Sequence, residues 1–578
     1  MNGTGACIIQ RDFTVLLEKE HPDFEEAKMQ LAQFAELIKS PALFHTYRIT
    51  PLSLWNAAAA GRTADDVAAM LCSLARWEVP GSVLSDIRTW MSRYGSLALV
   101  RTDDESGMLW LEQRGDSSPE LLEQLVNESA LKPFRLERDG SLRLRFPAVF
   151  RGLLKQEAAR LGYPVIDEAG YHRGHTLPLA LRTKLDDGRP FALRDYQAKG
   201  IDAFAGIAQA GRGGSGVIVL PCGAGKTVVG LGALERLQCE TLILTSNVTS
   251  VRQWITEICQ KTTLTPDEVG EYSGDRKQVR PVTVSTYQIL THRSKKDDGF
   301  PHMRLFNERD WGLIIYDEVH LLPAPVFRAT ADIQATRRLG LTATLVREDG
   351  CERDVFSLIG PKLYELPWRE LEAAGHIAKV ECHEIQVAMP PSLREKHEAA
   401  QGRDKFRIAA ENPGKIAWLE RLLRQHEGRQ IIVIGQYLRQ LAQAASILRA
   451  PLITGSTPQE ERVRLFQAFR ERRINVLVVS KVANFAVDLP DASVAIQISG
   501  SFGSRQEEAQ RLGRILRPKA AGDIAYFYSL VSADSREQHF ALRRQLFLVE
   551  QGYEYNILRD GALSPNVISQ GEVPSNWI

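Results

Sequence analysis

The run Leu220-Pro-Cys-Gly-Ala-Gly-Lys-Thr227 constrains this chain more than any other feature, because of what stands on either side of it. An apolar tetrad, Val217 to Leu220, precedes it and a helical stretch, Val228 to Leu237, follows. Strand, tight loop and helix in that order open a parallel α/β unit, with glycines where the backbone must come close to something. Gly223 and Gly225 leave amide N–H groups accessible, the positive end of the following helix adds attraction for an anion, and Lys226 brings a full charge. The same texture runs on. Short Val, Ile and Leu runs alternate with longer amphipathic stretches from Val217 to about Leu366 and again from about Ile431 to Leu530, with a polar, charged segment between. That alternation means parallel sheets with crossover helices, and occurring twice it predicts two α/β lobes.

The first 185 residues read differently. Asp23 to Ile38, Pro51 to Ala59, Ala64 to Ala75 and Leu84 to Arg93 are short amphipathic pieces, several opening on Pro, Thr or Ser. Beyond them, strand-like Leu97 to Arg101, Met108 to Glu112 and Leu142 to Phe146 mix with helical Pro119 to Asn127 and Val149 to Leu161. A helical domain and a small α+β domain are expected, and packing is the simplest reading of Trp55 and Trp110.

Composition mainly excludes. At 578 residues the chain holds three or four compact units, and 44% hydrophobic with 25% charged residues is ordinary for a globular protein. The longest apolar runs fall far short of the roughly 20 residues a membrane span needs, and no basic-then-apolar segment opens the chain, so a cytoplasmic protein is expected. Seven cysteines form no Cys-x-x-Cys pair and no group with histidines at metal-ligand spacing, which points to reduced, structural thiols. A net charge of +1 decides nothing about nucleic acid, since a basic groove and an acidic surface elsewhere cancel.

Two further motifs turn the glycine loop into a hydrolysis site. Gly312-Leu-Ile-Ile-Tyr316 is a hydrophobic strand ending in Asp317-Glu-Val-His320. Asp317 is placed to hold Mg²⁺ through water, and Glu318 to polarise the water attacking a γ-phosphate. In Glu507-Glu-Ala-Gln510-Arg511-Leu-Gly513-Arg514-Ile-Leu-Arg517, a helix puts Gln510, Arg514 and Arg517 on one face at i, i+4 and i+7. A glutamine and two guanidiniums suit a phosphoryl group whose charge spreads in the transition state. The substrate is then ATP with Mg²⁺: Pro221, Cys222, Gly223, Ala224 and Gly225 cradle phosphates, Lys226 reaches the terminal ones, and the Thr227 hydroxyl faces the metal. Because the arginine helix belongs to the second lobe, ATP is expected between the lobes, its hydrolysis coupled to their opening and closing.

With these motifs in place the sequence resembles a superfamily 2 helicase, and in particular the XPB family. Leu220 stands where the general phosphate-loop pattern has a glycine, matching the shorter form that helicases use. More telling is Leu341-Thr-Ala-Thr-Leu-Val-Arg-Glu-Asp349, in which the Thr-Ala-Thr coupling motif runs into the Arg347-Glu348-Asp349 motif peculiar to XPB proteins. Ile453-Thr-Gly-Ser-Thr457, Val479-Ser-Lys-Val482, Asp488-Leu-Pro490, Ile496-Gln-Ile-Ser499 and Phe547-Leu-Val-Glu-Gln-Gly-Tyr553 extend the likeness. It spans about residues 20 to 558 and is specific mainly after Arg194.

What the resemblance implies is an α/β protein with two RecA-like parallel-sheet lobes after the helical and small α+β domains. The expected boundaries are 1–95 for the helical domain, 96–185 for the accessory, damage-recognition-like domain, 186–375 for the ATP-binding lobe, 376–545 for the second lobe with a short thumb-like segment near 390–412, and 546–578 for a tail. Arg194 and Gln197 match the adenine-recognising region, Thr342 and Thr344 the hydroxyls that link nucleotide state to DNA grip, and Asp488 an acid at the lobe interface. DNA contacts fall by match on Asn247, Ser250, Thr286, Thr454, Gly455, Ser480 and Lys481, although Ser, Thr and Asn after strands are equally ordinary helix caps. Arg347, Glu348 and Asp349 are implied to distort the duplex. Pro390 to Asn412, with Arg394, Lys396, Arg403, Lys405, Phe406 and Arg407, is either a DNA-contacting thumb or a solvated linker.

The implied activity is that of a monomeric, ATP-dependent 3′ to 5′ DNA helicase or duplex translocase in repair of the nucleotide-excision type, acting on duplex or forked DNA with a nuclease or repair factor as partner. Two rivals stand beside it: a motor subunit of a restriction or defence complex, and an ATP-gated clamp that holds duplex without travelling. No nuclease core of the Pro-Asp…Glu/Asp-x-Lys type is evident in the first 185 residues, which disfavours built-in cleavage.

Overall fold

In a computed structural model of the chain, the residues described are 5–40, 43–102, 107–115, 120–209, 214–221, 223–293, 300–334, 336–345, 352–480, 492–500, 524–551, 553 and 555–560. They divide into two compact units, Met1–Leu220 with Gly225–Leu366, and Pro367–Ile578 with Pro221–Ala224. No described helix is long and apolar enough to cross a membrane.

The first unit opens with strands β1 (Cys7–Ile9), β2 (Thr14–Glu18), β3 (Glu36–Lys39) and β4 (Phe44–Arg48), an antiparallel sheet in the order β1-β2-β4-β3. This corrects the reading of residues 23–38 as one helix: only Phe24–Leu31 is helical, and Glu36–Lys39 pairs with β4. A four-residue edge strand carries too little periodicity to be separated from a helix end, and the partner strand decides. The next three helices follow the sequence, Pro51–Ala59, Ala64–Leu74 and Gly81–Arg93, the first two opened by reciprocal Thr50/Ser53 and Thr63/Asp66 caps. Trp55 is buried and its indole N–H donates to the Trp90 carbonyl, so it packs as expected.

Strands β5 (Leu97–Arg101), β6 (Met108–Gln113), β7 (Glu137–Arg138), β8 (Arg143–Pro147) and β9 (Val165–Asp167) make a second sheet, order β7-β8-β6-β5-β9. Helix Arg151–Arg160 carries Arg151 and Lys155 into a buried ion cluster: both reach Asp167, at 2.7 and 2.9 Å. Lys155 also donates to Gln334 Oε1 at 2.7 Å, which ties this small domain to the sheet that follows it. Asp167 is held well below the usual carboxylate range: burial opposes its charge, but the two cations outweigh it. Burial pulls Lys155 down to about 8.

That third sheet is built from β10 (Ser215–Val219), β11 (Thr241–Thr245), β12 (Val269–Tyr272), β13 (Val282–Thr286), β14 (Leu313–Asp317), β15 (Arg337–Thr342) and β16 (Lys362–Glu365), in the order β12-β13-β11-β14-β15-β10-β16. Every pairing in it is parallel, and β11 and β13 are buried along their whole length, as sheets covered on both faces require.

The second unit repeats the plan. Strands β17 (Val380–Val387), β18 (Ile431–Gly435), β19 (Leu452–Ile453), β20 (Val476–Ser480), β21 (Val494–Gln497), β22 (Ala525–Ser532) and β23 (Tyr555–Arg559) form an all-parallel sheet, order β19-β20-β18-β21-β22-β17-β23. Residues 546–560 are not a tail: they complete helix Arg536–Glu550 and supply the edge strand β23. Helix Trp368–Ala373 also belongs to this unit, with Trp368 edge-on to Tyr553. Its deepest polar contact joins Lys415 and Glu537, both side chains fully buried, at 2.8 Å.

Candidate nucleotide site

In an open parallel sheet, ligands bind beyond the carboxyl ends of the strands. Three neighbouring strands of the first unit's lobe, β10, β15 and β14, end there with the phosphate loop, Thr342-Ala-Thr344 and Asp317-Glu318. The loop turns on Gly223 and Gly225, at φ +84° and +80°, conformations that L side chains rarely adopt. Gly225 also admits the Gln197 amide, which would lie 2.6 Å from any Cβ placed there. Gln197 is buried at the start of helix Asp195–Gln209 and accepts from the Arg194 N–H at 3.0 Å. Gln197 is thus beside the loop that opens helix Lys226–Leu237, and Arg194 meets the Gln197 side chain through its backbone N–H.

The two acids behave oppositely although adjacent. Asp317 is pushed up to about 6, by burial and then by the Glu318 charge, against the pull of Lys226 and of the Trp254 indole N–H, which donates to Oδ2 at 2.9 Å. Burial acts to raise Glu318 as well, but Lys226 and His320 outweigh it and hold this carboxyl below its ordinary value. Lys226 Nζ lies 3.2 Å from Glu318 Oε1. The other oxygen, Oε2, is buried without a hydrogen-bond partner among the described residues. Glu318 takes left-handed backbone, φ 52°, a conformation that costs a non-glycine residue about 1–3 kcal/mol and collects at functional sites.

Behind the acids runs a chain of buried contacts that the sequence did not assign. His320 Nδ1 is 2.6 Å from Thr342 Oγ1 and 3.5 Å from Glu318 Oε2. The Thr342 hydroxyl bonds the Thr344 carbonyl at 2.6 Å. Tyr287 OH donates to the Asp317 carbonyl at 2.9 Å. Trp254 reaches Asp317 because Gly230, inside the phosphate-loop helix, leaves room: a Cβ there would stand 2.5 Å from the indole ring. His320 was visible in Asp317-Glu-Val-His320. Trp254 and Tyr287 lie on other elements, and only the fold brings them in.

A triphosphate with Mg²⁺ suits these donors. An elevated, half-buried carboxyl at Asp317, an unsatisfied oxygen on Glu318, the Thr227 hydroxyl and the Lys226 ammonium beside Glu318 are groups a metal-bound phosphate chain would satisfy.

The remaining expected residues divide. Asn247 caps helix Val248–Lys261 by accepting from the Ser250 N–H at 2.9 Å, and Thr286 caps Tyr287–Leu290 in the same way. The helix-cap alternative is therefore realised at Asn247 and Thr286, at the carboxyl edge of the first lobe's sheet, whereas Ser250 takes part only through its backbone N–H. In the second unit Thr454 bonds Ser456, Gly455 is exposed, and Ser480 ends β20 with its hydroxyl buried and unpartnered among the described residues. The thumb-like segment is a helix pair, Pro391–Ala399 and Gly402–Ala410, but Phe406 is buried edge-on against Phe540 and offers no surface for stacking. Cys222, Arg347, Glu348, Asp349, Lys481, Asp488, Gln510, Arg514 and Arg517 lie outside the described residues.

Known proteins give three family matches: ERCC3/RAD25/XPB C-terminal helicase over residues 371–568, helicase conserved C-terminal domain over 7–139, and type III restriction enzyme, res subunit, over 190–347. The chain is 50% identical over 556 residues to the DNA 3′-5′ helicase XPB of Kineococcus radiotolerans, covering 96% of each. It is 50% identical over 557 residues to the protein of that name from Mycobacterium tuberculosis, covering 96% of this chain and 98% of the relative. The general transcription and DNA repair factor IIH helicase/translocase subunit XPB/SSL2 of Saccharomyces cerevisiae is 34% identical over 607 residues, 95% of this chain and 71% of that one.

Proposed function

The chain belongs to the XPB family of DNA helicases, and from that premise we propose that it is a 3′ to 5′ helicase or duplex translocase driven by Mg²⁺-ATP and acting in DNA repair. The observation that carries the reading is the approach of Lys226 to Glu318, beside Asp317, at the carboxyl ends of neighbouring strands. Polarity is supported by the names of the bacterial relatives, and repair and translocation by the name of the yeast one.

In this reading Lys226 leaves Glu318 when the terminal phosphates arrive. The freed carboxylate orients the attacking water. Thr227 and Asp317 would hold Mg²⁺, which would supply positive charge against the phosphate oxygens. Arg514 and Arg517, with Gln510, meet the γ-phosphate from the second lobe, Asp488 senses nucleotide there, and His320 passes the state of Glu318 to Thr342 and Thr344. Asn247, Ser250, Thr286, Thr454, Gly455, Ser480 and Lys481 hold backbone phosphates without reading bases, and Arg347, Glu348 and Asp349 act on the duplex. The protein works in the cytoplasm as a monomer, recruiting a nuclease or repair factor.

The restriction-subunit match covers only 190–347, whereas the XPB relatives span 96% of the chain, which favours repair over a defence complex. A triplex-displacement assay tests the motor: wild type displaces the third strand with ATP, and Lys226→Ala does not. ATP turnover without displacement would leave a clamp, and turnover by Lys226→Ala would reject the site.

A further inference from the structure

Strands β13, β11 and β14 lie side by side in that order, all parallel. Their carboxyl ends carry Thr286-Tyr287, Thr245 and Asp317-Glu318. The first and last of these stand two strands apart, about 10 Å at the usual strand spacing. The Tyr287 side chain crosses that gap. From the first position of helix Tyr287–Leu290 it reaches past the end of β11 and donates its hydroxyl to the Asp317 carbonyl at 2.9 Å. Its ring is 3% exposed and belongs to the apolar core of the lobe, where close packing makes it a stiff arm.

The carbonyl at the end of that arm is half of the peptide unit joining Asp317 to Glu318. The unit is planar, so a bond on its oxygen restrains the rotation that sets the backbone of Glu318. Glu318 depends on such restraints. Its φ of 52° and ψ of 53° are left-handed, a conformation that a residue with a Cβ keeps only where its surroundings hold it. From that backbone its Oε1 stands 3.2 Å from Lys226 Nζ, and turning the peptide would re-aim the carboxylate.

The other end of the arm lies among the residues read as DNA contacts. Thr286 caps the helix that Tyr287 opens, accepting from the Ile289 N–H at 3.2 Å. The Thr245 hydroxyl, at the end of the strand between, is 3.2 Å from the Asn247 carbonyl and 3.4 Å from the Ser285 carbonyl. The segments around Asn247 and Thr286 are therefore tied to each other, and Tyr287 ties them to the peptide before Glu318. This route is separate from the contacts of His320 with Thr342.

We propose that Tyr287 is a positioning residue through which DNA held at Thr286 sets the aim of Glu318. The inference rests on the reading of the chain as a DNA-driven ATPase and adds to it the part that carries the DNA signal to the attacking water.

The test is Tyr287→Phe in the full chain, which deletes the hydroxyl and keeps the ring in the core. Steady-state ATP hydrolysis is measured without DNA and over a range of duplex concentrations, with thermal unfolding to confirm the fold. The ratio of DNA-saturated to DNA-free kcat should fall about 5-fold or more, the lower end of ordinary coupling between sites, while the duplex concentration at half-effect moves less than about 2-fold. A merely structural role would lower both rates together and leave the ratio alone. Leu290→Val loosens the same buried helix and keeps the hydroxyl, so it should retain the wild-type ratio. An unchanged ratio in Tyr287→Phe, or an equal loss in Leu290→Val, overturns the coupling and leaves the motor standing. A wild type whose hydrolysis ignores DNA overturns the motor, and the coupling with it.

Discussion

Changing Trp254 to Phe removes one hydrogen-bond donor from Asp317 while keeping an aromatic ring in the same slot. The indole N–H lies 2.9 Å from Oδ2, the side chain is 1% exposed, and the ring sits against Gly230. Asp317 stands at about 6, and this bond is one of the groups holding it down. A hydrogen bond to an ionised partner contributes about 1.5–3 kcal/mol, and about 1.4 kcal/mol is a factor of ten in an equilibrium constant. With the donor gone the protonated carboxyl gains relative to the carboxylate. The acid limb of DNA-stimulated ATP hydrolysis should therefore move to higher pH by about one pH unit or more, and half-saturation by Mg²⁺ should rise ~10-fold. Activity lost at neutral pH returns at higher pH and higher Mg²⁺. Steady-state ATPase rates over a grid of pH and Mg²⁺ measure both, with thermal unfolding to confirm that the smaller ring leaves the fold intact. An acid limb and a Mg²⁺ midpoint equal to those of wild type would refute the claim that Trp254 tunes this carboxylate.

Two further outcomes are expected. Asp167→Asn leaves Arg151 and Lys155 buried without their anion and should lower unfolding free energy by about 3–5 kcal/mol in urea titrations; a loss under about 1 kcal/mol would contradict the packing. Because Asp167 is depressed in the folded chain, its contribution is present above the unfolded carboxylate value of ~4 and disappears as pH falls through the lower folded one, so the variant should approach wild-type stability in strong acid. Gly230→Ala puts a Cβ 2.5 Å from the Trp254 ring, and should slow ATP hydrolysis despite raising helix propensity by about 1 kcal/mol; unchanged turnover with a raised melting point would show that the ring has room to move.

The two parallel sheets were legible because fully buried strands such as Leu242–Leu244 and Ile431–Ile434 write themselves as unbroken apolar runs between amphipathic stretches. The phosphate loop and Asp317-Glu318 were legible because glycine at positive φ and acids at a strand end are tied to local chemistry. What the sequence hid depends on partners far along the chain. Glu36–Lys39 is a strand only because β4 lies beside it. Trp254 bonds Asp317 only because β11 and β14 are neighbours and Gly230 is bare. Phe406 looks like a stacking aromatic until Phe540 covers it, and residues 546–560 look like a tail until Tyr555–Arg559 pairs with β17. Asn247 and Thr286 show why a strand-end hydroxyl or amide is a weak signal: capping, which the sequence allows as readily as phosphate binding, already engages both.

The proposal that two lobes grip one triphosphate is tested most directly at Arg514. Single-turnover hydrolysis and equilibrium ATP binding are measured on Arg514→Ala in the presence of duplex DNA. The expected result is a fall of about 10³-fold or more in the hydrolysis rate with ATP affinity changed only a few-fold, the mark of a group that acts on the transition state. Hydrolysis at the wild-type rate, or equal losses in rate and affinity, would contradict it.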